Sequence, residues 1–176
     1  DRGVEIMRRN YAMCWNAKAR LYQGVAGMLD GLANAGLFMA ILTNKPQDFT
    51  DMFGQRFFAA WPFAQIRGAR AQIPKKPDPA AALEMAAELG LDPARCAFVG
   101  DSSVDMETGV RAGMTPIGVL WGFRGEDELR GAGAPRGAPA AGVDQHHGLL
   151  RDPQVGEHLA RLAGLARRRQ QAGVGV

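Results

Sequence analysis

Three short segments place polar side chains directly after apolar runs, where a parallel sheet would present them at one edge. The first is Thr-Asn-Lys-Pro at residues 43–46, which follows the apolar run 37–42. A hydroxyl and backbone amides at a helix start can bind an anion. The same residues also suit a plain turn in which Thr43 is a local cap, and this segment alone does not separate the two interpretations.

The second segment is Lys-Lys-Pro-Asp-Pro at residues 75–79, which leads into an alanine-rich stretch. A lysine fixed by neighbouring prolines is a rigidly placed positive charge, suited to a phosphoryl group in a transition state. Alternatively, the prolines and Asp78 only begin a helix and both lysines are solvated. Taken alone, the segment favours this second interpretation.

The third segment is Val-Gly-Asp-Ser-Ser-Val-Asp at residues 99–105. Asp101 and Asp105 are four residues apart, so a helix starting between them would let both carboxylates face one point. Carboxylate oxygens are the hard ligands that Mg²⁺ prefers. The alternative is that both acids only favour a helix N-terminus, but Gly100 before the first acid suits the close approach of a ligand.

The elements that would position these segments form an alternating series. Helical spacing predicts helices at 4–21, 25–36, 47–58, 79–89 and 104–112. Short apolar runs predict buried strands at 37–42, 96–99 and 115–120, and an irregular strand and loop at 65–73. The alternation indicates an α/β fold: a parallel-sheet, Rossmann-like core of three layers. A further helix is predicted within 149–169, after a Gly/Ala/Pro-rich loop at 131–142.

Composition excludes several classes of function. The 176 residues carry 21 basic and 18 acidic side chains, and the run Arg167–Arg169 accounts for the net charge of +3. No basic face for nucleic acid is indicated. No apolar stretch reaches membrane-spanning length. Two cysteines, of which Cys96 lies in an apolar run, are too few for a disulfide framework, so a cytoplasmic location is expected. No pattern fixes an oligomeric state.

The order of the three segments resembles motifs two, three and four of the haloacid-dehalogenase-like hydrolases. Val-Leu-Trp-Gly-Phe-Arg at 119–124 and Tyr-Gln-Gly-Val at 22–25 are similar to phosphoglycolate-phosphatase-like members. The resemblance covers residues 21–129, with a weaker match at 143–165. It implies a Mg²⁺-dependent phosphatase of a small phosphorylated metabolite, for which phosphoglycolate is the first choice.

The resemblance implies a role for each matching residue. Thr43 would hydrogen-bond a phosphoryl oxygen with help from the Asn44 backbone, and Lys76 rather than Lys75 would hold the nucleophile and phosphoryl charge together. Asp101 would ligate Mg²⁺, with Asp105 completing the site directly or through water. In the family, an aspartate attacks phosphorus to form an aspartyl-phosphate, and a second aspartate two residues later is the general acid/base.

No segment of the chain matches the family's Asp-x-Asp strand. Asp1 has no strand before it, and Asp30-Gly31 lies in a helical pattern. We expect the nucleophile outside this chain, residues 1–20 to be the remnant of a helical cap, 21–165 the core without its first strand, and 166–176 a basic tail. The chain alone is then expected to be inactive and marginally stable, because loss of a central strand exposes apolar neighbours.

Alternatives remain beside the phosphatase hypothesis. The same core serves phosphosugar mutases and nucleotidases, and the cap that selects the substrate is largely absent. A non-catalytic fragment that binds phosphate or a protein partner would retain Thr43, Lys76 and Asp101. A receiver domain fits poorly, because its acidic pair would come at the first strand. His146 and His147 are adjacent and predict an exposed turn rather than a metal site.

Overall fold

The computed structural model of the protein describes residues 2–15 and 17–133. Helices and strands alternate along this part of the chain. In order they are α1 (Arg2–Cys14), α2 (Val25–Asn34), β1 (Met39–Pro46), α3 (Gln47–Phe53), β2 (Phe63–Ala69), α4 (Ala80–Glu88), β3 (Ala97–Gly100), α5 (Ser103–Arg111), β4 (Thr115–Gly118) and α6 (Glu126–Gly131). A π-helical turn, Gly54–Phe58, continues α3, and a 3₁₀ turn, Pro93–Arg95, precedes β3.

Glycines end the helices where the sequence predicts. At the end of α2, Gly36 has φ of 66° and its N–H donates to Ala33 O, while Leu37 N–H donates to Leu32 O. This pair of bonds is the Schellman motif, which needs a left-handed residue that glycine adopts without strain. Gly113 ends α5 in the same way, with φ of 68°. Each motif turns the chain directly into the following strand.

The strands form two parallel pairs. β1 pairs with β2, with Ile41 opposite Ile66, and β3 pairs with β4, with Val99 opposite Ile117. Within the described residues these are two separate two-stranded sheets. Parallel strands need crossover connections, and α3 and α5 provide them.

One apolar cluster joins the two pairs. Leu42 of β1 and Phe98 of β3 both pack against a cluster of buried apolar side chains, which are Ala82, Ala86, Ala112 and Met114. On β4, Ile117 packs instead with Met28 and Leu32 of α2. Because successive side chains of a strand point to opposite faces, α2 covers one face of this sheet while α4 and α5 cover the other. The predicted three-layer, parallel α/β architecture is confirmed.

Several boundaries and burial predictions need correction. α1 ends at Cys14 instead of continuing to residue 21. The predicted irregular strand at 65–73 is a strand at Phe63–Ala69, and its pairing with β1 does contain two register shifts. The short helix α6 lacks a strong apolar stripe, so periodicity did not indicate it. The strand at 96–99 is not buried on both faces, since Val99 is 42% exposed. Cys96, predicted to be a buried core residue, is only partly buried against the apolar cluster, and this burial raises the pKa of its thiol.

Other predictions fall outside the described residues. These are the helix within 149–169, the turn at His146 and His147, the basic tail at 166–176, and most of the Gly/Ala/Pro-rich loop. In the part of the chain that the structure covers, no helix is both long and apolar enough to cross a membrane. The division into cap remnant, core and tail stays a prediction.

Candidate active site

The site begins at the carboxyl end of β1. Thr43, Asn44 and Lys45 are the residues of this strand just before α3 starts, and the amide of Lys45 donates to Thr43 Oγ1 at 3.2 Å. A threonine hydroxyl has one proton to donate besides its acceptor lone pairs. Because this contact uses only an acceptor site, the Thr43 hydroxyl proton stays available for a ligand.

Asn44 fixes the loop that carries Lys76. Its Oδ1 accepts a hydrogen bond from Lys76 N–H, and its Nδ2 donates to the Lys76 carbonyl, both at 2.9 Å. The two bonds close a ring between side chain and backbone, so the position of Lys76 is tied to the end of β1. The structure therefore gives the Asn44 side chain a positioning contact, whereas the sequence analysis considered only its backbone.

The Lys76 ammonium lies between the two strand pairs. Nζ donates to the Leu42 carbonyl at 3.0 Å and to Asp105 Oδ1 at 2.6 Å. It also lies 5.7 Å from the centre of the Phe98 ring. The side chain of Lys76 is only 12% exposed and that of Asp105 only 10%. An ammonium has three donors, so one remains for a ligand after these two bonds.

Asp105 is buried in the first turn of α5, and both of its oxygens are engaged. Oδ2 accepts from Ser102 Oγ at 2.6 Å while Oδ1 accepts from Lys76. Gly100 allows this packing, because a Cβ at that position would lie 2.2 Å from the Asp105 Cβ. Any larger residue at 100 would push the carboxylate away from Lys76.

Asp101 has different surroundings. Within residues 2–15 and 17–133, its carboxylate makes no hydrogen bond or ion pair with another side chain. Instead it lies against the backbone of Gly122, in the loop after β4. A Cβ on Gly122 would stand 2.0 Å from Asp101 Oδ2. Gly122 belongs to a segment similar to phosphoglycolate-phosphatase-like members, but no local pattern indicates that it contacts Asp101.

The donor set suits a hard divalent cation in part. Asp101 offers unengaged carboxylate oxygens at a strand end, and Mg²⁺ in proteins is bound through one or two carboxylates with several waters. Asp105 is already bonded to Ser102 and Lys76, which favours contact through water. The described residues contain no group of three or more His, Cys, Asp or Glu side chains placed to hold a metal. The residues present therefore fit one side of a Mg²⁺ site.

A second-layer contact holds the start of α5. Glu128 of α6 accepts from the Ser103 amide at 3.3 Å. Hydrogen bonds from the Ser103 side chain and backbone hold the pKa of the Glu128 carboxyl below its usual range. A carboxylate at a helix N-terminus also interacts favourably with the helix dipole. No local sequence pattern indicates this contact, because Ser103 and Glu128 are 25 positions apart in the chain.

A family model for haloacid dehalogenase-like hydrolases matches residues 4–119. The match includes all three strand-end segments and most of the described chain.

The chain belongs to the haloacid dehalogenase-like hydrolases.

Relatives in this family cover the same region of the chain. The phosphoglycolate phosphatase of Psychrobacter arcticus is 30% identical over 130 residues, which are 74% of this chain and 56% of that protein. That of Pseudomonas putida is 32% identical over 145 residues, 81% of this chain and 52% of the relative. The N-acetylmuramic acid 6-phosphate phosphatase of Pseudomonas aeruginosa is 33% identical over 105 residues, which are 60% of this chain and 46% of that protein. The chain thus spans about half the length of these relatives.

Solved structures show the same fold. A predicted phosphoglycolate phosphatase from Haemophilus somnus superposes with a TM-score of 0.64 at 27% identity, over 69% of this chain and 54% of that one. A haloacid dehalogenase-superfamily hydrolase from Ehrlichia chaffeensis superposes with a TM-score of 0.53 at 26% identity, over 57% of this chain and 50% of that one. The predicted fold class and family resemblance are confirmed.

Proposed function

We propose that this haloacid dehalogenase-like chain forms the phosphate- and magnesium-binding part of a phosphomonoester hydrolase. The substrate is a small phosphorylated metabolite, and glycolate 2-phosphate is the first candidate. One observation carries the proposal: the Lys76 ammonium joins the Leu42 carbonyl of β1 to Asp105 of α5, so it links the strand ends that carry Thr43 and Asp101. A nearly buried cation with one unused donor, held between strand ends that supply a hydroxyl and a carboxylate, suits a phosphoryl group and its counter-ion.

In this proposal each residue has one task. Thr43 donates its hydroxyl proton to a phosphoryl oxygen, and Lys76 donates its third N–H to another. Asn44 holds Lys76 in place. Asp101 would hold Mg²⁺, with Asp105 acting directly or through water. Magnesium, when bound, neutralises charge on the transferring phosphoryl group.

The nucleophile belongs to a segment outside this chain. An aspartate there would attack phosphorus, forming a new P–O bond while the bond to the alcohol breaks, and a second aspartate would protonate the departing oxygen. Water would then hydrolyse the acyl phosphate, which returns the carboxylate and releases phosphate. Lys76 would stabilise charge in both steps.

Two structural features support a strand between the pairs. In the described chain, β1 and β3 are each hydrogen-bonded to one neighbouring strand, although both pack against the same apolar cluster. Side chains expected to be covered in such a sheet are accessible, with Val99 at 42% and Phe38 at 70%. A further parallel strand would satisfy the open edges and present its last residues near Lys76.

The test is to assay the chain alone and joined to the sequence encoded directly before it. A panel of phosphorylated metabolites, including phosphoglycolate, hexose phosphates and nucleotides, is used with and without Mg²⁺. We expect Mg²⁺-dependent phosphate release only from the longer protein. Thr43→Ala or Lys76→Met in that protein should abolish it. Failure of the longer protein to hydrolyse any of the panel contradicts the proposal.

Two alternatives give different results in this assay. A non-catalytic binding fragment is favoured by the incomplete metal-ligand set of the described residues. It would bind phosphate without turnover in either form. The other alternative is a different enzyme on the same core. A phosphatase of sugar phosphates or a phosphosugar mutase would prefer hexose phosphates, and a nucleotidase would prefer nucleotides. The relative from Pseudomonas aeruginosa, named for a sugar 6-phosphate, keeps the first of these open.

A further inference from the structure

Lys45 is a second cation at the end of β1 that the proposed mechanism leaves unused. It follows Thr43 by two residues, where β1 departs from regular pairing, and its amide donates to Thr43 Oγ1 at 3.2 Å. Asn44, between them, holds the Lys76 loop. Lys45 therefore belongs to the same strand-end backbone as Thr43.

Aromatic side chains surround the Lys45 ammonium. Its Nζ donates to Tyr11 Oη of α1 at 2.7 Å and lies 4.6 Å from the centre of the Phe53 ring in α3. Phe49 packs edge-on against Tyr11 with ring centroids 4.8 Å apart, which fixes the phenol. These contacts hold the half-buried ammonium in one position while α1 and α3 approach it from two sides.

The charge of Lys45 has no acidic partner in residues 2–15 and 17–133. Lys76, by contrast, is neutralised by Asp105 at 2.6 Å. Cation–π contacts attract an ammonium without neutralising its charge, and the single bond to Tyr11 leaves two of three donors unused. A positioned cation of this kind, beside a phosphoryl-binding threonine, is suited to a second anionic group.

We infer that Lys45 binds a carboxylate of the substrate, with Tyr11 and Phe53 positioning its ammonium. This inference rests on the proposed function, and it narrows the substrate class to short phosphorylated carboxylic acids. The phosphoryl group would lie on Thr43 and Lys76 while the carboxylate, one carbon from the ester oxygen, reaches Lys45. A phosphomonoester without a second charge would use the same phosphoryl contacts and gain nothing from Lys45.

A purely structural role predicts something different. If Lys45 only joins α1 to β1 through Tyr11, its replacement would lower stability and would change all substrates alike. Preference between a charged and an uncharged substrate separates the two roles, because the phosphoryl contacts are common to both molecules.

The experiment compares 2-phosphoglycolate with ethyl phosphate, which has the same carbon number and no carboxylate. Kinetics and binding are both measured on the longer protein that includes the preceding segment, and binding is followed by amide shifts. We expect Lys45→Met to lower kcat/KM for phosphoglycolate about 10- to 100-fold, the value of a charge-assisted hydrogen bond. The ethyl phosphate value should change less than about threefold, within the scatter of neighbouring substitutions.

Three further variants keep the result interpretable. Lys45→Arg retains the charge and should keep most of the preference. Tyr11→Phe retains the ring but removes the hydroxyl, and should reduce the preference by a smaller factor. Lys18→Met replaces an exposed lysine and should leave the preference of the parent protein intact. Thermal melts identify any variant that has lost its fold.

The outcomes separate this inference from the proposed function. Equal losses on both substrates, or no loss on either, overturn the role of Lys45 while leaving the phosphatase proposal intact. If neither substrate is hydrolysed, yet the longer protein binds phosphoglycolate more tightly than ethyl phosphate in a Lys45-dependent way, the phosphatase proposal fails and the carboxylate site stands. If the preference is absent from both assays, the site is overturned.

Discussion

Lys76 is held from two elements at once. Asn44 of β1 binds its backbone, the Leu42 carbonyl binds its ammonium, and Asp105 of α5 supplies the opposite charge. A buried ion pair contributes little compared with an apolar pair of the same volume, but removal of one partner leaves an uncompensated buried charge. The pair is therefore sensitive to single substitutions.

Replacement of Lys76 should destabilise the protein. We expect Lys76→Met to lower the free energy of unfolding by about 3–5 kcal/mol, since Asp105 would lose its buried partner. The double variant Lys76→Met with Asp105→Asn should lose less free energy of unfolding than the two single variants lose in sum. Urea denaturation of the single and double variants, made in the longer protein that includes the preceding segment, gives the coupling.

An exposed ion pair provides the control for this measurement. Arg111 and Glu107 lie one helical turn apart in α5, and their side chains are 52% and 39% exposed. Arg111→Gln should change the free energy of unfolding by less than about 1 kcal/mol, the usual range for surface pairs. A loss at Lys76 no larger than that at Arg111 would mean that the buried pair is not an electrostatic unit.

Gly122 should control the position of Asp101. In Gly122→Ala the new Cβ would overlap the Asp101 carboxylate, which must move. We expect Mg²⁺ affinity to fall about 10- to 100-fold, as for other supports of metal ligands. Mg²⁺ titration followed by amide shifts measures the change.

Gly27→Ala is the matched control, because nothing lies within 4 Å of a Cβ there and the position is inside α2. It should leave Mg²⁺ binding intact and stabilise the helix by up to about 1 kcal/mol. Unchanged Mg²⁺ affinity in Gly122→Ala would remove Asp101 from the proposed metal site.

At the scale of elements, charged side chains attach helices to their neighbours. The guanidinium of Arg67 in β2 contacts two carboxylates of α4. Its Nη1 lies 3.0 Å from Glu84 Oε2, and its Nη2 lies 2.6 Å from Glu88 Oε2. The hydrogen bond from Arg67 holds the pKa of the Glu88 carboxyl below its usual range. Glu128 makes the corresponding contact between α6 and α5, with its pKa also lowered. These links hold two helices next to the site in place. One is α4, which follows the Lys76 loop, and the other is α5, which carries Asp105.

Acid should weaken both links. A carboxyl whose folded pKa is lowered contributes stability that is fully present above its unfolded pKa and is lost as the pH falls through the folded pKa. We therefore expect the free energy of unfolding to decline below about pH 4.5, near the ordinary glutamate pKa. The effect of each group is small, because both carboxyls are at the surface.

The measurement is urea denaturation at a series of pH values in the wild type, Glu88→Gln and Glu128→Gln. Each substitution should flatten the acid slope, because the substituted amide no longer titrates. If the slope is the same in all three proteins, these two carboxyls do not carry the linkage.

The whole molecule has a sheet in two halves. Within the described residues β1 and β3 each have one open edge, and Phe38 and Val99 are accessible. Open strand edges and exposed apolar surface both favour association with other chains. We expect the chain alone to bind a hydrophobic dye and to melt broadly at low temperature. Addition of the preceding segment should suppress dye binding and raise the melting temperature. A cooperative, high-temperature melt of the chain alone would contradict this expectation.

Much of the candidate site followed from sequence, because its signals are local. Thr43 and Asp101 stand directly after apolar runs, and glycines such as Gly36 and Gly113 mark the helix ends, so strand-end positions were predictable from spacing within a few residues. The parallel α/β class follows from the same alternation. Pro77 and Pro79 likewise indicated that Lys76 sits in a rigid loop. These features depend on backbone preferences that a short segment expresses by itself.

Tertiary structure alone decided which side chains meet. Lys76 pairs with Asp105 across 29 residues, Lys45 contacts Tyr11 across 34, and Gly122 lies against Asp101. No periodicity encodes such pairs, because they depend on how crossover helices return each strand end to the same edge of the sheet. The accessibility of Val99 is also a tertiary result, since burial depends on whether a neighbouring strand covers an apolar residue, not on its own sequence.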